Sequence, residues 1–240
     1  MVSATLKINN SLLSRILRIF MHINREVQCF FSSGIEMNAI DVSHSNFLSA
    51  KLNKNSYSEY QKNEEFEISF DLDILKQVSE KSKVKEVSLD FSNSTIKFSE
   101  EDPMGSVFDL NVYSTKSSIP KIPKFQVKNK VDTDSTQILD GLKKLSIISQ
   151  FFDIKNNNGI VLFHSQDAIF GEGIFAIGTA KDFSSNSDYY HISPLKDILE
   201  NVPDKTKVIV EMNEQHFLNF IFSFANVTFN ILIAASVSPN

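Results

Sequence analysis

The chain alternates between two kinds of hydrophobic pattern. In "NSLLSRILRIF", Leu12, Leu13, Ile16, Leu17 and Phe20 fall on one stripe at helical spacing, while Ser11, Arg15, Arg18 and His22 recur on the opposite side. "EVQCFF" and "IEMNAID" follow, alternating as strands do on either side of a Ser-Ser-Gly turn. A second helical pattern, "DLDILKQVSEKSK", is followed by "EVSLDFS", a Ser-Asn turn and "TIKFSE". A third, "DSTQILDGLKKLSI", carries its stripe on Ile138, Leu139, Leu142 and Leu145, with Asp134 or Ser135 as the N-cap. After it come "SQFFDI", the turn "KNNNG" and "IVLFHS". A fourth, "SPLKDILENV", has Pro194 placed for a first helical turn and precedes "KVIVEM", the turn "NEQH" and "FLNFIFSF". Gly34 and Gly159 occupy matching turns, where a residue able to take positive φ is expected.

The pattern predicts an α+β protein of four helix-plus-meander units arranged as two pairs, an internal repeat. "SSGIEMNAIDVSHSNFLSAKL" from Ser32 and "NNGIVLFHSQDAIFGEGIFAI" from Asn157 are the same hairpin pattern about half the chain apart. Between the pairs, "YSTKSSIPKIPKFQVKNK" has two prolines and no helical stripe and reads as an extended linker. The expected organisation is therefore two similar domains, 1–113 and 131–240, joined by a connecting loop over 114–130. Phe217–Val237 is long enough to span a bilayer, but Asn219, Ser223, Asn226, Thr228 and Asn230 recur through it. Its Phe, Ile and Val content predicts a hairpin turning near Ala225–Asn226 instead.

Composition narrows the functional classes. A hydrophobic content of 42% over 240 residues fills a substantial core, and a charged fraction of 22% with net charge -5 is that of an ordinary soluble protein. Net charge alone argues against a nucleic-acid partner. Cys29 is the single cysteine, which excludes an internal disulfide or a cysteine-rich zinc site and points to a reducing compartment. Arg15 and Arg18 interrupt "SLLSRILRIFMHI" where a signal peptide needs an unbroken apolar run. His22, His44, His164, His191 and His216 show no metal-ligand spacing, and neither a glycine-rich phosphate loop nor Gly-x-Ser-x-Gly occurs. Asp41 and His44 lack a recognisable nucleophile beside them. The expectation is a protein that is not an enzyme, with no catalytic residue, metal or cofactor.

Five stretches in order carry a family resemblance. "NREVQCFFSSGIEMNAIDVSHSNFLSAKL" is similar to the early hairpin and following loop of the sliding clamp proliferating cell nuclear antigen (PCNA), with "SSGI" and "AIDVSH" the closest parts. "SEYQKNEEFEISFDLDILKQV", "IPKFQVKNKVDTDSTQILDGLKKL", "SDYYHISPLKDIL" and "ILIAASV" resemble later segments of the same family, so the resemblance covers Thr5 to Val237. It implies two similar domains per subunit, and three subunits closed into a ring with sheets outside and helices lining the hole. The implied function is a processivity factor that encircles duplex DNA and tethers polymerase and other replication and repair proteins. The implied partners are double-stranded DNA, a clamp loader, polymerase and other clients with short docking motifs, and like or related clamp subunits, with no membrane. The implied compartment is nuclear in a eukaryote and cytoplasmic otherwise.

Duplex DNA requires locally positive surface. The polar faces of the proposed inner helices hold Arg15 and Arg18, Lys76, Lys81 and Lys83, Lys143 and Lys144, and Lys196, with Asp73, Glu80, Asp140, Asp197 and Glu200 among them. The resemblance places a client pocket at Ile40, His44 and Phe47, Ile122 and Pro123 of the linker, and His216 with Leu232 to Ala235. The family usually has Tyr where Leu232 falls and Pro where Ala235 falls, and many relatives are acidic where the linker carries Lys116, Lys121 and Lys124. The resemblance also implies that Val107, Phe108, Leu110 and Val112 of one subunit pair with Ile174, Phe175 and Ile177 of the next. A specialised paralogue, one subunit of a heterotrimer or of a DNA-damage checkpoint clamp, is the alternative that the altered pocket motivates.

Overall fold

The computed structural model describes residues 3–112, 126–215 and 217–236, and the chain separates into two compact units. One holds the described residues as far as Ile40, those from Leu48 to Val112, and Ala225–Thr228. The other holds Asp41–Phe47, the described residues from Gln126 to Phe224, and those from Phe229 on. Linker residues 113–125 lie outside the described residues, and Val127–Lys130, read as the end of the linker, begin a strand instead.

Each unit contains two copies of one element order: a strand, a helix and three further strands. The first copy is β1 (Ser3–Asn9), α1 (Asn10–Met21), β2 (Glu26–Phe31), β3 (Ile35–Ile40) and β4 (Asn46–Leu52). A short β5 (Glu59–Lys62) leads to the second: β6 (Phe66–Asp71), α2 (Asp73–Lys81), β7 (Glu86–Ser92), β8 (Thr95–Glu100) and β9 (Val107–Asn111). The third is β10 (Val127–Asp134), α3 (Ser135–Leu145), β11 (Phe151–Asn157), β12 (Ile160–Asp167) and β13 (Gly171–Thr179). The fourth is β14 (Asn186–His191), α4 (Ile192–Leu199), β15 (Lys207–Asn213), β16 (Leu218–Phe224) and β17 (Val227–Ile233). No helix among the described residues is long and apolar enough to cross a membrane.

The leading strand of each copy is exchanged with the other copy of its unit. β1 pairs antiparallel with β7 from Ser3↔Ser92 to Asn9↔Glu86, and β6 pairs with β2 from Phe31↔Phe66 to Glu26↔Asp71. In the second unit β10 pairs with β15 and β14 with β11. The strand orders are β5-β1-β7-β8-β9 and β6-β2-β3-β4 in the first unit, and β10-β15-β16-β17 and β13-β12-β11-β14 in the second. Helices cover the sheets with the stripes the spacing gave: Leu13, Ile16, Leu17 and Phe20 of α1 are buried, as are Ile138, Leu142 and Leu145 of α3.

Phenylalanine does much of the core's work in a chain without tryptophan. Phe31 stacks on Phe66 at 4.5 Å and meets Phe91 at 4.8 Å, while Phe152 lies 4.5 Å from Phe163 in the second unit. Each such buried ring contributes about 2–3 kcal/mol through surface removed from water. Hairpin turns follow the expected chemistry at two places. Asn158 and Gly159 take φ of 52° and 88°, and Ala225 and Asn226 take 47° and 62°, the paired positive values of a type I′ turn. Gly34 differs from expectation, since it is not among the positive-φ residues. Its small size serves close approach instead, because a Cβ there would stand 3.3 Å from the Leu52 carbonyl oxygen.

Gly178 is under stronger constraint. A Cβ would lie 2.6 Å from Val131 Cγ2 and 2.9 Å from the Asp132 carbonyl oxygen, and the backbone oxygen has no room to yield. Gly178→Ala is expected to destabilise the second unit by about 2–3 kcal/mol, read as a lower urea midpoint at unchanged slope.

Candidate functional site

α1 and α2 lie side by side through a polar joint. Asn10 Nδ2 donates to the carbonyl oxygens of Ser79 and Ser82, Ser79 Oγ donates back to Asn10 Oδ1 at 2.8 Å, and the hydroxyls of Ser14 and Ser79 are 2.6 Å apart. Asn10, Ser14 and Ser79 are all buried, so small polar side chains bring the two helices close while satisfying one another. Along the solvent side of this joint runs a groove of about 460 Å³ lined by Ser11, Arg15, Arg18, Glu80, Lys83 and Lys85. Arg15, Arg18, Lys81 and Lys83 are exposed and Lys76 is half-buried. Lys85 was not among the residues singled out in the sequence. Its signal is the Lys83-Val84-Lys85 alternation, which puts both lysines on one side of an extended segment.

The cations are partly neutralised. Glu80 accepts from Arg18 Nε at 2.7 Å and from Lys76 Nζ at 3.2 Å. The Arg18 hydrogen bond outweighs partial burial and, with Lys76, holds the Glu80 carboxyl below its ordinary value. In the second unit Lys143 pairs with Glu200 at 3.3 Å and Lys196 with Asp197 at 3.8 Å, while Lys144 sits 5.2 Å above the Phe175 ring. Among the described residues, Lys81 and Lys83 carry no ion pair. α3 begins with Asp134 as N-cap, its carboxylate accepting from the Gln137 N–H at 2.9 Å.

Each unit has a sheet-end strand whose outer edge is open and carries exposed apolar side chains. β9 is the last strand of the first unit's five-stranded sheet, and Val107 and Phe108 on it are 55% and 40% exposed. β13 is the last strand of its sheet, and Ile174 is 56% exposed there. Leu110 is half-buried, whereas Val112 and Ile177 are packed inside their own units. Phe175 points at α3, where a Cβ on Gly141 would come within 2.5 Å of its ring. An unpaired edge with exposed apolar side chains is a template for another strand.

The loop Asp41–Asn46 is ordered by one carboxylate. Asp41 accepts from the N–H groups of Ser45 and Asn46 and from the side chains of Ser43 and Asn46, and the Ala234 N–H donates to the Ser45 carbonyl at 2.8 Å. Burial pushes the Asp41 carboxyl up, but this set of donors prevails and holds it below the usual range. His44 takes φ 59° at the exposed turn beside it, so the Asp41–His44 pair is a loop framework. Phe47 and Leu232 are both 6% exposed and belong to packing more than to an open wall, Ile40 is half-buried, and Ala235 is exposed. Ile122, Pro123 and His216 lie outside the described residues. No group of three or more His, Cys, Asp or Glu among the described residues is arranged to hold a metal ion.

Four strand–helix–meander copies, exchanged in pairs into two units, define the two-domain clamp fold. The fold matches that of PCNA from Thermococcus kodakaraensis, with a TM-score of 0.85 at 16% identity over 97% of this chain and 100% of that one. It also matches A. fulgidus PCNA bound to the C-terminal region of FEN-1, at TM-score 0.83 and 15% identity over 100% of both chains. A DNA polymerase sliding clamp of Methanococcus maripaludis is 21% identical over 182 residues, covering 70% of this chain and 72% of the relative. Residues 1–112 match the family model described as proliferating cell nuclear antigen, N-terminal domain. The first 112 residues thus resemble the proliferating cell nuclear antigen N-terminal domain, and the chain as a whole has the fold of these clamps.

Proposed function

We propose that the chain is a processivity clamp that acts without catalysis: three subunits close into a ring around duplex DNA and tether polymerase and other client proteins. The observation that carries this reading is that β9 and β13 each end a sheet with one edge open and leave Val107, Phe108 and Ile174 exposed to solvent. β9 of one subunit would pair with β13 of the next, and a subunit carrying one of each propagates a closed heterologous contact. The helix cations Arg15, Arg18, Lys76, Lys81, Lys83, Lys143, Lys144 and Lys196 would meet phosphates and read no sequence. Their partial pairing with Glu80, Glu200 and Asp197 suits weak, sliding contact. Clients with short docking motifs would bind beside the Asp41–Phe47 loop and the end of β17.

A second reading, a subunit of a heterotrimer or of a DNA-damage checkpoint clamp, is favoured by Leu232 and Ala235 at positions where the family pattern has Tyr and Pro. The native mass decides between them. A trimer of the chain alone supports the first reading, a trimer only with a related subunit supports the second, and a monomer under all conditions overturns both.

A further inference from the structure

Three titratable side chains, Asp153, His164 and Glu172, form a row across β11, β12 and β13. His164 is enclosed, at 3% exposure. Its Nδ1 lies 2.9 Å from Asp153 Oδ1 on β11 and its Nε2 lies 2.8 Å from Glu172 Oε1 on the free edge strand β13. Lys155 Nζ stands 3.9 Å from the same Glu172 oxygen. The registers Asp153↔His164 and His164↔Ile174 put this row on one face of the sheet, and Phe175 and Gly173 of the opposite face lie against α3 and the residues after it. Among the described residues the charged groups facing the ring are therefore Asp153 and Lys155 from β11 and Glu172 from β13. His191 of β14 stacks on Phe151 instead, at 4.3 Å.

Ionised carboxylates only accept hydrogen bonds, and a neutral imidazole has a single N–H to give. A neutral ring would satisfy one carboxylate and turn a lone pair toward the other. Both contacts are made good together only when each ring nitrogen carries hydrogen, and the two bonds are then charge-assisted. We infer that His164 is an imidazolium clip that ties the edge strand β13 to β11 across β12, holding Glu172 against the sheet and fixing the edge for pairing with a second copy. The clip itself stands on the monomer's geometry; its effect on pairing rests on the proposed ring. The sign follows from the proton count. With the carboxylates ionised, the clip is complete while the ring holds its extra proton and is lost as rising pH removes it, freeing a half-exposed Glu172 at the edge.

The test uses the full chain labelled with ¹⁵N. The two ring nitrogens of His164 are expected to be both protonated under the conditions where β13 is fully protected, and a single neutral tautomer under those conditions overturns the clip. Hydrogen exchange of the β13 amides, corrected for intrinsic rates, is expected to lose about tenfold protection as the ring deprotonates, the effect of a charged hydrogen bond worth about 1.4 kcal/mol. Glu172→Gln provides the discriminating variant. Its new amide donates to the lone pair of a neutral ring, so β13 protection should persist and its pH dependence should vanish. A parent protein without that pH dependence, or a Glu172→Gln protein that keeps it, also overturns the clip. Native mass measured on the same samples reports the ring separately. A protonated clip in a chain that stays monomeric refutes the ring reading alone.

Discussion

Arg15→Glu combined with Lys83→Glu is expected to weaken association with duplex DNA by at least about a hundredfold at moderate salt while leaving assembly intact. Both side chains line the solvent groove along the α1–α2 joint and neither contributes to the buried Asn10–Ser14–Ser79 network. In the proposed ring the double substitution removes six cations from the helix-lined face. If all six meet phosphates, the slope of log K against log salt falls by about 5, since each phosphate neutralised contributes about 0.9. Arg18 and Lys76 are poorer probes, because both are held by Glu80 and reversing them also breaks that pair. A salt titration of DNA association by fluorescence anisotropy measures the effect. A double variant with the parent's slope places the α1–α2 face away from DNA.

Ile174→Asp is expected to turn the proposed trimer into monomers. Ile174 is more than half exposed on β13, so a carboxylate there costs the isolated subunit little, within about 0.5 kcal/mol of the parent. In a closed edge-to-edge contact the same carboxylate is desolvated without a partner, at about 3–5 kcal/mol, which weakens each contact by a factor between about 10² and a few times 10³. Phe108→Asp on β9 should behave in the same way from the other side. Light scattering over a dilution series reads the outcome, with the urea midpoint as the check on folding. A variant that remains trimeric at the parent's concentration shows that β13 is not the contact. Val42→Asp, in an exposed loop, serves as the control that leaves the mass unchanged.

The helices were the most legible elements. The stripe from Leu12 to Phe20 and the cap at Asp134 locate α1 and α3 to within a residue or two, because a helix declares its buried face every three or four positions. The hairpin at Ala225–Asn226 was legible as well, where recurring asparagines argued against a membrane span. What the pattern did not carry was the strand before each helix. "SATLKIN" alternates as cleanly as any strand, but nothing local says that its partner is "EVSLDFS", more than eighty residues on, and not the meander that follows it. Gly34 misled for a related reason: its constraint comes from Leu52 on another strand, and no turn rule encodes that. Of the cationic surface, the residues were readable and their partners were not. Glu80 sits in the sequence simply as one acid among lysines, and only the packing of α2 on α1 shows that it engages two of them at once.

The exchange of leading strands has a consequence for biosynthesis. A chain emerging from the ribosome completes Ser3–Asn9 at once but has only the short ribbon Glu59–Lys62 to pair with until Glu86–Ser92 has been made, and the second unit repeats the delay between Val127–Asp134 and Lys207–Asn213. Nascent fragments that stop between copies hold an orphaned ribbon and an open slot, so two complementary pieces expressed together should reconstitute a unit that neither piece forms by itself.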